Sequence, residues 1–149
     1  MLNIIVWNIR GLGNPPSLRR LKKLVRVHNI DCFAIIEPKI KSATAKDYEY
    51  KLNCSGSFAN HEGNIWVFWK NNITCIVIHS TSQYVHVSLV MGGIEARIFF
   101  IHASCNDSLK QTLWTDLINF NTVCPWLVAG DFNVVTCQEE RVGGSPISF

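Results

Sequence analysis

The chain has 149 residues, 48% of them hydrophobic and 17% charged, with a net charge of +3. That length suits one domain able to bury a real core, and the composition excludes a disordered chain. The mild positive balance permits an anionic partner such as nucleic acid but does not argue for one. In chain order, Leu2 to Ile9 is apolar on both alternating faces, as in a central strand covered on both sides. Gly11, Gly13 and Pro15-Pro16 end it, and Ser17 is placed to cap a helix to about His28. Leu18, Leu21, Leu24 and Val25 make the buried stripe of that helix, with Arg19, Arg20, Lys22, Lys23 and Arg26 on its other faces. Such a basic run either meets a nucleic-acid backbone or is a solvated helix face.

Cys32 to Ile36 reads as a second buried strand ending at Glu37-Pro38, and residues 43–52 as a short helix. The pattern then becomes strands near 64–70, 73–79, 84–91 and 95–102, with Asn71-Asn72 and Gly92-Gly93 as hairpin turns. Trp66 and Trp69 sit three apart in the first of these and lean to opposite faces as core residues. Asp107 or Ser108 opens a helix to about Asn121, with Leu109, Leu113, Leu117 and Phe120 as its stripe. Trp126 to Ala129 is a further buried strand, closed by Gly130-Asp131-Phe132-Asn133, and a loop-like tail starts at Gly143. Strand, helix, strand followed by hairpins indicates an α/β fold in a single domain, 1–149.

The six cysteines form no C-x-x-C pair, and the short N-terminal apolar run holds Asn3 and Asn8, unlike a signal peptide. No apolar stretch approaches the roughly 20 residues of a membrane span. The expectation is an intracellular protein of nucleus or cytoplasm, not secreted, with reduced thiols.

Four apolar runs each end in a residue that binds a metal, water or phosphate: Asn8, Glu37, His102, and Asp131 with Asn133. If those ends lie together they form one rim of a sheet, where ligand sites of open α/β folds gather. Asp131 and Asn133 are two apart, which puts them on one face of an extended segment. Magnesium prefers oxygen ligands and keeps several waters, so one or two carboxylates suffice to hold it. His28, His61, His79 and His86 show no ligand spacing.

Three segments, Val6-Trp7-Asn8-Ile9-Arg10-Gly11-Leu12-Gly13, Ile36-Glu37-Pro38-Lys39 and Ala129-Gly130-Asp131-Phe132-Asn133, resemble in order and spacing three motifs of the endonuclease/exonuclease/phosphatase family. The wording of the first, with the basic helix and Glu37-Pro38-Lys39 after it, resembles the endonuclease domain of plant LINE-type retrotransposons. The resemblance implies part of a four-layer α/β sandwich, two mixed β-sheets flanked by helices. It also implies phosphodiester hydrolysis with Mg2+ or Mn2+, DNA as partner, and no membrane. By position, Glu37 is the metal-binding glutamate and Asn8 the asparagine that helps order metal and substrate. Asp131 orients or activates the attacking water, and Asn133 is the amide that holds the phosphate. His102 stands where the family usually has a tyrosine near the scissile phosphate. Arg10 stands where some DNA-repair relatives carry an acid.

One departure is expected to matter. The family's later aspartate and Ser-Asp-His segment have no counterpart between Val134 and Phe149, where there is no histidine. The resemblance therefore implies a C-terminal portion missing, half of the sandwich absent, an apolar sheet face left bare, and weakened activity. The alternatives are a non-catalytic retrotransposon-derived remnant that keeps the fold, and a phosphatase acting on inositol phosphates or lipids.

Overall fold

The structure, a computed structural model, describes residues 1–135 and 142–144. Strands β1 (Ile4–Asn8) and β2 (Cys32–Ile36) are joined by helix α1 (Pro15–Val27). They run parallel, in register from Ile4↔Cys32 to Asn8↔Ile36, so both chains leave the sheet at the same end. Helix α1 starts on the Pro15-Pro16 pair with Asn14 as its N-cap, three residues before the Ser17 cap expected. Proline suits the first helical positions because its missing N–H has no partner there.

A short 3-10 turn at Ser42–Thr44 leads into α2 (Ala45–Lys51), then β3 (Gly56–Ala59) and β4 (Ile65–Trp69), completing a sheet of order β1-β2-β4-β3. Phe33 and Ile35 of β2 point outward with Trp66 and Phe68, under Leu21 and Val25 of α1 and Tyr48 of α2. Cys32, Ala34, Ile65 and Val67 point the other way, into the space between two sheets.

The second sheet runs β5 (Thr74–Ser80), β6 (Tyr84–Met91), β7 (Ile94–His102) and β8 (Trp126–Asp131) in sequence order. Its inner face, with Val85, Val87, Leu89, Ile98 and Phe100, closes on the first sheet. Its outer face carries α3 (Asp107–Asn119), whose Leu113, Trp114 and Leu117 pack on Tyr84, Phe99 and Ile101. β7 and β8 are parallel, and α3 is their crossover. The molecule thus holds two strand–helix–strand units, one per sheet, and each sends its two parallel strands toward one rim. Helix, sheet, sheet, helix is the four-layer order the resemblance implies.

Several expectations are corrected. Both sheets are present and their inner faces cover each other, so half of the sandwich is not absent. β1 is the edge of its sheet rather than a central strand, and β8 is the edge of the other. β8 is only half-buried, with Trp126 and Leu127 exposed. Asn71-Asn72 joins β4 to β5 in the opposite sheet and makes no hairpin. Gly92-Gly93 does make one: Met91 pairs with Ile94, and both glycines take the positive φ that a two-residue turn of this hand requires. β3 was not expected. The buried stripe of α3 is Lys110, Leu113, Trp114 and Leu117, while Leu109 is exposed. Trp66 and Trp69 face opposite sides as expected. The five cysteines among the described residues are free, and Cys137 lies outside them, as does the tail after Gly144.

Candidate active site

Each parallel pair carries its pairing past the sheet into the following loops. Ile9 N–H donates to Ile36 O at 3.0 Å, and Gly11 N–H to Glu37 O at 2.9 Å. Glu37 N–H donates in turn to Asn64 O at 3.0 Å. These bonds hold Glu37 at a φ of +52°, a region that a residue with a side chain rarely occupies. On the other sheet His102 and Asp131 are register partners, and Ala103 N–H donates to Asp131 O at 2.8 Å. Gly130 makes that approach possible. A Cβ there would meet Ile101 O at 2.0 Å, so no other residue lets β8 lie this close to β7.

The two pairs converge across the sheets. Asn8 Nδ2 donates to Asp131 Oδ2 at 2.8 Å, with Glu37 Oε1 at 3.4 Å. Ligand atoms of Glu37, His102 and Asp131 all lie within 4.8 Å of one another. The rim expected of one sheet is therefore shared by two, and residues 123 apart in sequence meet in a hydrogen bond. Beside the site, a groove of about 620 Å³ runs between the facing edges of β1 and β8, lined by Ile4, Val6 and Leu127 as well as Asn8 and Asp131.

Asp131 is the most constrained of these groups. Its Oδ1 accepts the Asn133 backbone N–H at 2.9 Å. Burial pushes its carboxyl pKa up, but that N–H, the Asn8 amide and the fields of His102 and Arg10 outweigh burial and leave it below the ordinary value. Asp131 is thus held ionised. Asn133 sits at a φ of +47°, so the chain turns there and the two side chains do not share an extended face. The Asn133 Nδ2 donates to Ala103 O at 2.6 Å, tying the turn after β8 to the end of β7.

Two residues that the sequence reading passed over support the site. Lys110 is buried, and its Nζ donates to Asn133 O at 2.8 Å, anchoring the same turn to α3. Its signal was available: a lysine on the helical stripe it shares with Leu113, Trp114 and Leu117. Asn64 Nδ2 donates to Ser82 O at 3.2 Å and reaches His102 Nδ1 at 3.0 Å. Its Oδ1 accepts from Asn60 Nδ2 at 2.6 Å, and Asn60 Nδ2 also donates to Thr81 O at 3.1 Å. Carbonyl oxygens only accept, so Thr81 and Ser82 fix both amides the way round in which Asn64 donates to the ring. His102 then carries its proton on Nε2, which faces Glu37 Oε1 at 3.4 Å. Asn64 offers no group that reacts, and nothing in its own neighbourhood of sequence marks it.

A divalent cation fits these donors. Glu37 and Asp131 offer carboxylate oxygens, and Asn8 Oδ1 is a buried acceptor with no partner. Oxygen donors of this kind suit a hard cation. His102, protonated on the nitrogen that faces the site, is a donor rather than a ligand in this arrangement. All five residues singled out from the sequence, Asn8, Glu37, His102, Asp131 and Asn133, meet here. His28, His61, His79 and His86 take no part in it.

Among solved structures, the chain is similar to humanized D. rerio TDP2 bearing 14 mutations, at 16% identity and a TM-score of 0.68, over 97% of this chain and 72% of that one. It is similar also to D. rerio TDP2 complexed with a single-strand DNA product, at 17% identity and a TM-score of 0.67, over 97% and 66%. A third similarity is to the endonuclease domain of TRAS1, a telomere-specific non-LTR retrotransposon, at 11% identity and a TM-score of 0.63, over 91% and 61%. The chain thus spans roughly two thirds of the length of these proteins, and at such identities the likeness is one of fold. No curated protein sequence matches it. A family model does match, over residues 5–144, a span that takes in both strand–helix–strand units except Ile4, and every side chain of the rim. The chain belongs to the endonuclease/exonuclease/phosphatase family.

Proposed function

We propose that the rim hydrolyses phosphodiester bonds in DNA, nicking one strand, and that it works with Mg2+ or Mn2+. The observation that carries this reading is the meeting of Glu37, His102 and Asp131 within 4.8 Å at the ends of strands from two sheets. Glu37 and the Asn8 carbonyl oxygen hold the cation, whose charge offsets that of the phosphate when it is bound. Asp131, kept ionised by its hydrogen bonds, orients a water toward phosphorus and takes its proton as the new P–O bond forms; the P–O bond opposite it breaks, and the leaving alkoxide takes a proton from solvent. The His102 Nε2–H donates to a phosphoryl oxygen, the service for which Asn64 holds it. Asn133 shapes the turn that presents Asp131, and the remaining capacity of its amide faces the phosphate. The D. rerio TDP2 complex with a single-strand DNA product and the retrotransposon endonuclease domain support DNA over other phosphoesters.

The test is nicking of supercoiled plasmid by purified, folded protein with Mg2+, beside EDTA and Asp131→Ala controls. Open circles that disappear in both controls support the reading. Folded protein that leaves the plasmid intact sinks it in favour of a fold retained without chemistry.

A further inference from the structure

At the opposite end of the first sheet lies a second cleft, of about 560 Å³, between α1, the end of α2 and the end of β4. Six of the chain's 14 Lys and Arg line it: Arg19, Lys22, Lys23 and Arg26 from α1, Lys51 from α2, and Lys70 after β4. No acidic residue lines it, and among the described residues none of the six forms an ion pair. Lys70 N–H donates to Asp31 O, so the cleft sits where β2 begins, whereas Glu37 follows where β2 ends. That separation is about 17 Å at the rise of a strand.

The α1 cations are at positions i, i+3, i+4 and i+7, a single stripe of the helix. Like charges at those spacings weaken a helix, and a surface helix usually relieves them with interleaved acids. α1 has no acid at all. A solvated face does not explain why further cations from two other elements stand opposite this stripe.

We propose that this cleft docks the phosphate backbone of a nucleic-acid duplex at a point remote from the rim. From Arg19 to Arg26 the helix rises about 10 Å, over which one strand of a duplex carries about three phosphates. A row of that length matches a polymer, whereas a small anion is met by donors converging on one point. No aromatic side chain lines the cleft, so it offers no stacking platform for unpaired bases. Recognition there is of the backbone, independent of sequence. A polymer held at this end is carried along the side of the first sheet toward the rim. This goes beyond the hydrolytic reading, and binding without divalent metal tests it separately.

The experiment is fluorescence anisotropy of a labelled DNA duplex, and of a labelled RNA duplex, titrated with the protein in EDTA over a range of salt. Each phosphate contact contributes about 0.9 to the slope of log affinity against log salt. The triple variant Lys22→Gln, Lys23→Gln, Arg26→Gln loses about 2.7 of that slope, and Lys51→Gln with Lys70→Gln about 1.8. The second variant changes different elements, so concordant losses cannot come from a melted α1. Preference between the two duplexes identifies the natural polymer. Slopes unchanged in both variants, or binding to phosphatidylserine vesicles with both duplexes ignored, overturn the proposal.

Discussion

The strands of this molecule change character within a single residue. From Cys32 to Ile36, β2 is entirely apolar and entirely buried, with the Phe33 ring stacked on Phe68 at 5.2 Å. At Glu37 the backbone turns to positive φ, a carboxylate meets solvent, and Asn8 Oδ1 beside it is left without a donor. Of the six non-glycine residues with positive φ among the described residues, four lie in the loops of the rim: Arg10, Glu37, Lys39 and Asn133. The other two, Asn29 and Asn53, are asparagines, which tolerate that region. Unpartnered buried polar atoms occur in the interior too, at Trp66 Nε1 and His86 Nε2, but among the described residues positive φ outside glycine and asparagine is confined to the rim. Such backbone conformations persist only where the surrounding structure over-determines them, and they mark functional sites. The core should therefore govern stability and the rim chemistry, with little exchange between them.

The largest effect is expected at the rim. Asp131→Asn keeps the shape of the side chain but removes the carboxylate that accepts from Asn8 and Asn133. Plasmid nicking with Mg2+ should fall by about 10²- to 10⁴-fold, while the thermal midpoint stays close to that of the parent. A parallel loss of stability would break the separation. The mirror experiment is Phe33→Ala, which empties a fully buried site and should cost about 3–5 kcal/mol in denaturant unfolding. Whatever protein remains folded should nick at nearly the parent rate. A Phe33→Ala protein that is stable but inactive would show that the core transmits more to the rim than this division allows.

How much of this division was legible follows from what each residue interacts with. The strands reach the rim as apolar runs and its polar residues stand at their ends, so β1, β2, β7 and β8 and the meeting of those ends could be read along the chain, though not the half-exposure of β8. Which strand is an edge could not. β1 packs Ile5 and Trp7 under the helices and Ile4 and Val6 between the sheets. An edge strand of a four-layer sandwich is thus covered on both faces and looks central, because its free side is a row of backbone groups with no code in side chains. β3 was hidden by composition. Its Gly56 reads as a turn former but is required because a Cβ would strike the Trp69 ring at 2.2 Å. Asn64 was hidden because it acts only through another side chain.

A polar group inside the apolar region offers the next comparison. His86 is buried, stacked on Phe99 at 4.1 Å and met edge-on by Phe120 at 5.0 Å, and its Nε2 has no partner. Burial, with Arg97 and His79 adding to it, lowers its pKa from 6.5 to about 4. Since the unfolded chain binds that proton more readily, the stabilisation is whole above about pH 6.5 and is lost as the pH falls toward 4. The loss is up to about 3 kcal/mol at 1.36 per unit. Unfolding free energies measured from pH 7 to pH 4 should show that decline, and His86→Phe should flatten it. An equal decline in both proteins would assign the acid sensitivity elsewhere.

The smallest effect belongs to Asn64, which touches both regions: Ile65, the residue after it, is wholly buried in the core, and its own amide ends on the His102 ring. If it acts by holding the Nε2–H tautomer, Asn64→Ala should cost about 10- to 100-fold in nicking, the range of a group that orients another. Asn64→Asp tests the cause more sharply. A carboxylate accepts where the amide donated, so the ring must carry a proton on Nδ1, which it does not in the parent. NMR of the imidazole nitrogens should then report the Nε2–H form in the parent and a proton on Nδ1 in the variant. A purely structural Asn64 would leave the tautomer unchanged, and any loss of nicking in Asn64→Asp would then have to come from the added charge beside Glu37.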